Sequence, residues 1–278
     1  MTIRQAIQQA LKSLERTDDA RFDALCLAEK AFAMNKTDLR LRGEQQVDSV
    51  EYFALVARRA SGEPLQYILG EWEFYGLPFA VGPGVLIPRP ETELLVEAAL
   101  KQFTVDSLQL TIGSLQLTVY DLCAGSGCVG LSIAHHLPNA KVYLVELSDE
   151  ALPCLRKNAK PYPNAEIIQA DVLNCQLSTV DCQLILANPP YIKSAELAGL
   201  SEEVRREPRV ALDGGADGLK FYRALAARWL PQLAPGGLLA CECGEGQAAD
   251  VAALFAPCET EILKDFNGID RVVAAKRL

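Results

Sequence analysis

The first 65 residues carry apolar side chains at the spacing of α-helices. The first pattern contains four apolar residues one helical turn apart: Ile3, Ile7, Leu11 and Leu14. Thr2 and Gln5 form a capping box at its start. Similar patterns begin near Asp19 and Asp48, and each predicts a further helix. We therefore expect a compact helical domain over residues 1–65.

The pattern changes between residues 66 and 87. Aromatic and apolar residues there alternate with glycines and prolines, namely Tyr67, Ile68, Trp72, Phe74, Tyr75 and Phe79. Such alternation predicts a β-hairpin with connecting turns. We place a linker between two domains at residues 66–90.

Beyond the linker, residues 91–278 alternate helical and strand patterns. The predicted strands lie near residues 117–122, 141–146, 166–169, 183–187, 237–242 and 270–275. Strands that alternate with helices are typical of a largely parallel sheet with helices on both faces. The expected fold class is α/β, with a Rossmann-like domain after a small N-terminal helical domain.

A five-residue motif, Ser-Leu-Gln-Leu-Thr, occurs at residues 107–111 and again at 114–118. Two copies are too few for a repeat fold. We interpret the motif as a local duplication in a predicted surface hairpin and assign it no function.

Composition and charge narrow the classes of partner. Half of the residues are hydrophobic and the formal net charge is -9, whereas proteins that bind a phosphate backbone usually carry positive surfaces. We expect a protein partner and no direct contact with nucleic acid. We also expect a cytoplasmic protein without membrane contact, because the sequence has neither a long apolar span nor an apolar signal region.

The nine cysteines do not form a metal-binding pattern. Only one residue separates Cys241 from Cys243, instead of the two of a zinc knuckle, and the two histidines are adjacent. We expect reduced cysteines and no metal site.

Residues 119–130 predict a strand that runs into a glycine turn and then a helix. Such a turn exposes backbone N–H groups and allows a ligand to approach the main chain. Glu146 ends the next predicted strand, where an acidic side chain accepts hydrogen bonds from ribose hydroxyls. We expect a nucleoside-containing cofactor. The spacing of Gly125, Gly127 and Gly130 fits both NAD and S-adenosylmethionine, and the alternative is a turn that needs glycine for backbone reasons only.

Two further segments favour S-adenosylmethionine. Asp121 lies two places before the loop, similar to an acidic residue that methyltransferases have beside the methionine part of this cofactor. Ala170-Asp171-Val172 follows the third predicted strand and resembles their adenine-contacting segment. The expected cofactor is therefore S-adenosylmethionine.

Asn188-Pro189-Pro190-Tyr191 directly follows a predicted apolar strand, at the end where open α/β sheets bind ligands. A conjugated amide or amino nitrogen is a poor nucleophile, so a site that methylates it has to accept its N–H bonds. The Asn188 side-chain oxygen and the Pro189 carbonyl are the candidate acceptors, because consecutive prolines are stiff and have no N–H. Tyr191 is the candidate to stack on the planar group. The alternative is an ordinary turn.

Together these motifs resemble the HemK/PrmC family, the release factor glutamine methyltransferases, over essentially the whole chain. Four further segments share the resemblance: 64–70, 85–93, 207–215 and 233–237. The resemblance implies a class I S-adenosylmethionine-dependent methyltransferase domain and an N-terminal domain that recognises release factors. The implied reaction methylates the side-chain amide nitrogen of the glutamine in the Gly-Gly-Gln motif of peptide chain release factors, in translation termination.

The resemblance also implies roles for individual residues. Those expected to contact the cofactor are Cys123, Ala124, Gly125, Ser126, Gly127, Glu146, Asp171, Val172 and Asn188. Those expected to bind the glutamine amide are Asn188, Pro189, Pro190 and Tyr191. The chain departs from the commoner family form, with Cys123-Ala124 in place of Gly-Thr and Glu146 in place of Asp. We expect these changes to alter cofactor affinity at most.

Three alternatives stay open. Methyltransferases that act on amino groups of nucleic acids use similar Asn/Asp-Pro-Pro-aromatic loops but need a basic surface. The glutamine methyltransferase of a ribosomal protein usually has a different second motif from the segment 87–93 found here. An NAD-dependent oxidoreductase would explain the glycine loop alone. The roles of Phe74, Arg89 and Glu91, in the active site or in packing, also stay open.

Overall fold

The computed structural model describes residues 1–110, 117–175 and 182–278, without the side chains of 104–110. Residues 107–110 of the duplicated motif are helical, where the sequence predicts a surface hairpin, and residues 111–116 lie outside the described residues. The chain divides into two compact units, one of Met1–Trp72 with Ser201–Arg206 and one of Glu73–Leu200 with Glu207–Leu278. Within the described ranges, no helix combines the length and hydropathy that a membrane-spanning segment needs.

The first unit is helical. Its helices are α1 (Ile3–Ser13), α2 (Ala20–Phe32), α3 (Lys36–Leu41), α4 (Val50–Ala60) and α5 (Leu65–Leu69). The predicted capping box is confirmed, because the Thr2 and Gln5 side chains each accept a hydrogen bond from the other residue's backbone N–H. Asp19 caps α2 by accepting from the Phe22 N–H at 2.9 Å.

Helix α5 departs from the predicted hairpin. The sequence pattern predicts a β-hairpin with connecting turns from residue 66 onward, whereas Tyr67 and Ile68 are helical and buried in α5. Pro64 precedes the first turn, and Gly70 ends the helix at φ 78°, a conformation that glycine adopts without strain. Pro64 and Gly70, which resemble the turn residues of a hairpin in the sequence, are therefore the two caps of a short helix.

The hairpin is confined to β1 (Glu71–Phe74) and β2 (Leu77–Ala80). The division between the two units falls after Trp72, whereas the sequence pattern predicts a linker over residues 66–90. The short helix thus belongs with the other helices, and the division falls within β1.

The helical unit includes Ser201–Arg206, a segment from much later in the sequence. Arg59 in α4 donates to Asp23 at 2.7 Å and to Glu203 at 3.0 Å, and its side chain is only 6% exposed. A buried guanidinium requires such partners because an unpaired buried charge is costly. This ion-pair network therefore stabilises the position of the later segment in the helical unit.

The second unit contains a seven-stranded sheet. Its strands are β3 (Thr118–Leu122), β4 (Lys141–Glu146), β5 (Ala165–Gln169), β6 (Cys182–Ala187), β7 (Leu233–Glu242), β8 (Glu259–Lys264) and β9 (Asp270–Lys276). Their order is β5-β4-β3-β6-β7-β9-β8. Strands β3 to β7 are parallel, and β9 is antiparallel to both of its neighbours. The chain reverses its direction of strand addition between β3 and β6, which opens a crevice at the carboxyl ends of these strands.

Helices cover this sheet on both faces. They are α6 (Glu93–Leu110), α7 (Cys128–His136), α8 (Leu152–Ala159), α9 (Lys220–Ala224) and α10 (Ala248–Leu254). The second unit has two hydrophobic cores, and successive residues of β3 pack into different ones. Val119 packs in the same core as Leu95 of α6, and Tyr120 packs in the same core as Trp229. A strand buried on both faces is apolar throughout, and this explains the apolar runs in the sequence.

The six predicted strands and the α/β fold class are confirmed. Strand β8 is the exception, since the sequence pattern does not predict it. Five of its six residues are exposed, because it lies at the edge of the sheet and pairs only with β9. An exposed edge strand has little of the apolar alternation that identifies a strand in a sequence.

Candidate active site

A cavity of about 630 Å³ lies in the second unit, at the carboxyl ends of β3, β4, β5 and β6. The predicted site residues that line it are Cys123, Gly125, Glu146, Asp171, Val172, Asn188 and Pro190. A smaller recess shares part of this lining and adds Ala124 and Ser126. Gly127, Pro189 and Tyr191 are outside the described lining of both. Most of the predicted residues are thus brought together at the crevice.

The glycine loop turns sharply between β3 and α7. Cys123 and Gly125 have left-handed φ angles of 62° and 56°, and the Gly127 N–H donates to the Ala124 carbonyl at 2.7 Å. A Cβ atom placed on Gly125 would have no protein atom within 4 Å. The backbone at Gly125 therefore faces open space, where a ligand can approach it.

Glu146 is fixed against this loop. One carboxylate oxygen accepts from the Gly125 N–H at 2.7 Å and the other accepts from the Ser148 N–H at 2.7 Å. Each carboxylate oxygen still has acceptor capacity for a further donor. A glutamate at this position is thus long enough to order the glycine loop and also present oxygens to the hydroxyls of a ligand.

Asp121 lies beneath the loop and lines the smaller recess. Its carboxylate accepts from the Gly130 N–H at 2.8 Å and is 2% exposed. Burial raises the pKa of Asp121 to about 7, the Gly130 hydrogen bond opposes the rise, and the charge of Glu146 adds to it. A cationic group beside Asp121 would favour the ionised carboxylate, as an ammonium group of a ligand could.

Gly130 permits this contact because it has no side chain. A Cβ atom on Gly130 would lie 2.8 Å from the Asp121 Cβ and would also overlap Leu144. The last glycine of the motif therefore allows α7 to pack closely on the sheet.

Asp171 and Val172 form another wall of the cavity. Asp171 accepts from the Leu173 N–H at 2.9 Å and from the Asn174 side chain at 2.7 Å, which defines the turn after β5. Val172 is buried, and its carbonyl accepts from the indole N–H of Trp229 at 2.9 Å. Asp171 thus shapes the turn, and Val172 provides an apolar surface.

Asn158 supports the glycine loop from α8, and sequence reasoning does not identify it. Its side chain exchanges hydrogen bonds with the backbone of Ala80, at 2.8 and 3.0 Å, and donates to the Ser126 carbonyl at 2.9 Å. A buried asparagine with all of these partners fixes the backbone around it. Its short-range sequence context carries no signal for this role.

Asn188 is partly buried and belongs to a polar network that reaches the buried Thr92 and Glu242. Its Nδ2 donates to the Thr92 hydroxyl at 3.1 Å, and that hydroxyl donates to one carboxylate oxygen of Glu242. The Tyr191 hydroxyl lies 3.4 Å from the other oxygen of Glu242. Burial raises the pKa of Glu242 to about 7, while the Thr92 hydrogen bond and the charge of Arg271 lower it.

Thr92 and Glu242 are the polar residues of the site that sequence reasoning missed. Glu242 is the last residue of β7, at the same edge of the sheet where Glu146 ends β4. An acidic residue at the carboxyl end of a buried parallel strand is a usable signal. Thr92 lies within the segment 87–93 that carries part of the family resemblance, but only the fold shows which atom it contacts.

Close backbone packing positions the loop at Tyr191. A Cβ atom on Gly214 would lie 2.7 Å from the Tyr191 Cα, and one on Gly218 would lie 2.5 Å from its carbonyl oxygen. Gln247 donates to that carbonyl at 3.1 Å. The glycines after residue 212 thus let a second loop pack directly on Asn188–Tyr191.

Arg89, Glu91 and Phe74 occupy packing or electrostatic positions. Arg89 pairs with the buried Glu207, which also accepts from the Ile87 N–H at 3.0 Å. The charge of Glu91 raises the pKa of Glu242. Phe74 is 1% exposed and packs in the core of the second unit.

The fold and the site define a Rossmann-like class I methyltransferase. Residues 100–213 match the methyltransferase small domain. Among solved structures, the catalytic domain of hMettl16 in complex with a MAT2A 3′UTR hairpin has a TM-score of 0.57 at 14% identity, covering 80% of this chain and 81% of that one. A methyltransferase from Pyrococcus furiosus has a TM-score of 0.50 at 15% identity, covering 73% and 90%. At these identities the likeness concerns the fold alone.

The chain belongs to the family of release factor glutamine methyltransferases. Residues 5–70 match the PrmC N-terminal domain. The release factor glutamine methyltransferase of Geobacter sulfurreducens is 40% identical over 93% of this chain and 90% of its own length. The enzyme of the same name from Moorella thermoacetica is 39% identical over 100% and 99%. Membership of this family implies the use of S-adenosylmethionine. Among the described residues, no group of three or more His, Cys, Asp or Glu side chains could bind a metal ion.

Proposed function

We propose that this chain transfers a methyl group from S-adenosylmethionine to the side-chain amide nitrogen of the glutamine in the Gly-Gly-Gln motif of peptide chain release factors. The observation that carries the proposal is the orientation of Asn188 at the carboxyl end of β6. Its Nδ2 is occupied by Thr92, and no described hydrogen bond uses its Oδ1. A fixed amide oxygen beside a cofactor-sized cavity supports amide methylation better than a redox reaction.

We assign the cavity of about 630 Å³ to the cofactor, which supplies an electrophilic methyl group when bound. Glu146 would accept from ribose hydroxyls, and Gly125 would allow the cofactor to approach the backbone. Asp121 would pair with an ammonium group. Val172 would contact the adenine with its apolar side chain. Cys123, Ala124, Ser126, Gly127 and Asp171 would shape the turns that contact the cofactor.

The substrate amide would bind next to Asn188. The Asn188 Oδ1 and the Pro189 carbonyl would accept the two N–H groups of the glutamine, which orients its nitrogen towards the methyl carbon. Pro190 stiffens this loop, and Tyr191 remains our candidate for packing on the plane of the amide. Transfer of the methyl group would leave the cofactor as a neutral thioether, and the methylated nitrogen would release one proton to solvent water. The contribution of this chain is positioning, without a strong general base.

We propose a protein as the substrate and assign its recognition to the helical unit. The net charge of -9 disfavours a nucleic-acid substrate, since contacts to phosphates require a positive surface. A release factor is a large substrate, so contacts away from the glutamine can lower KM. A short Gly-Gly-Gln peptide should therefore have a much higher KM than an intact release factor. Equal KM values would refute recognition outside the peptide.

The deciding assay is transfer of labelled methyl from S-adenosylmethionine to a purified release factor. The control substrate has the Gly-Gly-Gln glutamine changed to alanine. We expect label on the intact factor alone. Label on both proteins would place the modification elsewhere, and label on neither would overturn the proposed substrate.

The role of Asn188 has its own test. Asn188→Ala should abolish nearly all turnover while the cofactor dissociation constant changes little, because the acceptor of the substrate N–H is lost. Asn267→Ala makes the same substitution at an exposed turn and should leave both quantities unchanged. Loss of cofactor binding with retained turnover per bound cofactor would contradict this role.

A further inference from the structure

The network behind Asn188 contains a buried acid to which the proposed reaction gives no role. Glu242 is 3% exposed and Thr92 is 2% exposed. The two residues are 150 positions apart in the sequence, and they meet directly. We propose that Glu242, acting through Thr92, is a positioning residue that fixes which end of the Asn188 amide faces the substrate nitrogen. This inference rests on the proposed function of Asn188.

The direction of the hydrogen bonds follows from the chemistry of the groups. An ionised carboxylate can only accept, so the single hydroxyl proton of Thr92 has to point to Glu242. The Thr92 oxygen then offers only lone pairs to Asn188. Asn188 has to present its NH₂ group to Thr92, in agreement with the contact at 3.1 Å. Its oxygen is thereby directed to the opposite side, where the reaction needs an acceptor.

Protonation of Glu242 would remove this constraint. A carboxylic acid can donate to Thr92, and Thr92 can then donate to the Asn188 oxygen. The asparagine amide is close to symmetric in shape, so it can turn over and face the substrate with its NH₂ group. The NH₂ group of Asn188 would then face the N–H group of the substrate amide, and neither group can accept a hydrogen bond. The charge of Glu242 therefore selects the productive orientation.

Several neighbouring groups affect the ionisation of Glu242. The titratable and charged groups that act on it, or on which it acts, are Glu91, Cys128, Tyr191, Tyr222, Cys241, Cys243 and Arg271. Arg271 favours the ionised form, whereas burial and the negative charge of Glu91 favour the neutral form. The Tyr191 hydroxyl lies 3.4 Å from the carboxylate. Glu242 thus joins both polar ends of the Asn188–Tyr191 loop.

The kinetic test compares two substitutions at one position. Thr92→Val keeps the shape but removes the hydroxyl, and it should lower kcat about tenfold or more at saturating cofactor. Thr92→Ser keeps the hydroxyl and should recover most of that loss. The cofactor dissociation constant should change little in either variant. A kcat for Thr92→Val equal to that of the wild type, or equal losses in the two variants, would overturn the inference.

Glu242→Gln tests the charge. The wild-type kcat should rise with pH on a limb centred near the Glu242 pKa of about 7, because the ionised form is the productive one. Glu242→Gln should lower kcat at high pH and remove this limb. An unchanged limb in the variant would refute the role of the charge. Saturating cofactor and a thermal unfolding curve for each variant separate this effect from weaker binding and from lost stability.

A second measurement needs no methyl acceptor, so it distinguishes failure of this inference from failure of the proposed function. The side-chain NH₂ resonances of Asn188, assigned by their loss in Asn188→Ala, are followed by NMR in the cofactor complex. They should shift with a midpoint near pH 7 in the wild type and stay constant in Glu242→Gln. Resonances that do not shift in the wild type would overturn the inference even if the release factor is methylated.

Discussion

The buried carboxyl of Asp121 should couple cofactor binding to pH. Its pKa rises from 3.8 to about 7, which corresponds to about 4 kcal/mol against ionisation in the folded protein. Because the folded-state value is raised, Asp121 contributes stability that is fully present below pH 3.8 and is lost as pH rises through about 7. An ammonium group of the cofactor beside this carboxyl would favour the ionised form and displace the proton.

The expected effect of pH on the cofactor dissociation constant follows from the pKa of Asp121. If only the ionised form binds well, the cofactor dissociation constant should be about tenfold higher at pH 6 than at pH 8. Asp121→Asn should weaken binding about 10- to 100-fold at pH 8, because a charge-assisted hydrogen bond is lost. The variant should also lose the dependence on pH.

Isothermal titration calorimetry of the cofactor at several pH values measures both effects. In the wild type below pH 7, titrations in buffers of different ionisation enthalpy should also reveal proton release. Asp121→Asn is the control for titration of the cofactor itself. Equal affinity of the wild type at pH 6 and pH 8, or an equal pH dependence in the variant, would refute the placement of an ammonium group beside Asp121.

Three other substitutions test separate parts of the structure. Gly125→Val introduces a β-branched side chain at φ 56°, which is strained, and fills the space assigned to the cofactor. Calorimetry should therefore detect a large loss of cofactor affinity, and an unchanged affinity would contradict the loop assignment. Arg59→Met leaves Asp23 buried without its cation and should lower the free energy of unfolding by about 3–5 kcal/mol in urea titrations, whereas the double variant with Asp23→Asn should lose less. Gly214→Ala places a Cβ 2.7 Å from the Tyr191 Cα and should lower kcat with little change in cofactor affinity, and an unchanged kcat would show that the loop can move without consequence.

The order of the predicted elements follows from local chemistry. The capping box of α1, the apolar strands and the glycine turn each depend on residues close together in the sequence, so their patterns predict them. The same holds for Asn188 at the end of β6, because a strand followed by such a loop ends at the sheet edge where ligands bind. These patterns determined the fold class, and most of the site residues that they predict line the cavity or the smaller recess.

Two other elements were missed because the local sequence either fits two structures or has no clear pattern. Pro64 and Gly70 are equally compatible with hairpin turns and helix caps, and burial of Tyr67 and Ile68 in the helical unit decides for the helix. Strand β8 has little apolar pattern because it is exposed and is defined by its pairing with β9. Both outcomes depend on contacts that a local pattern does not contain.

The sequence by itself determined that a helical domain precedes a wound α/β domain with a nucleoside-binding turn and an Asn-Pro-Pro-Tyr loop. Only the tertiary structure decided that Thr92 and Glu242 meet behind Asn188, and that Glu203 joins Arg59 in the helical unit. The physical reason is the same in both cases. A buried polar group pairs with the partner that the fold brings within hydrogen-bond distance. The number of residues between the two partners in the sequence does not indicate how far apart they lie in space.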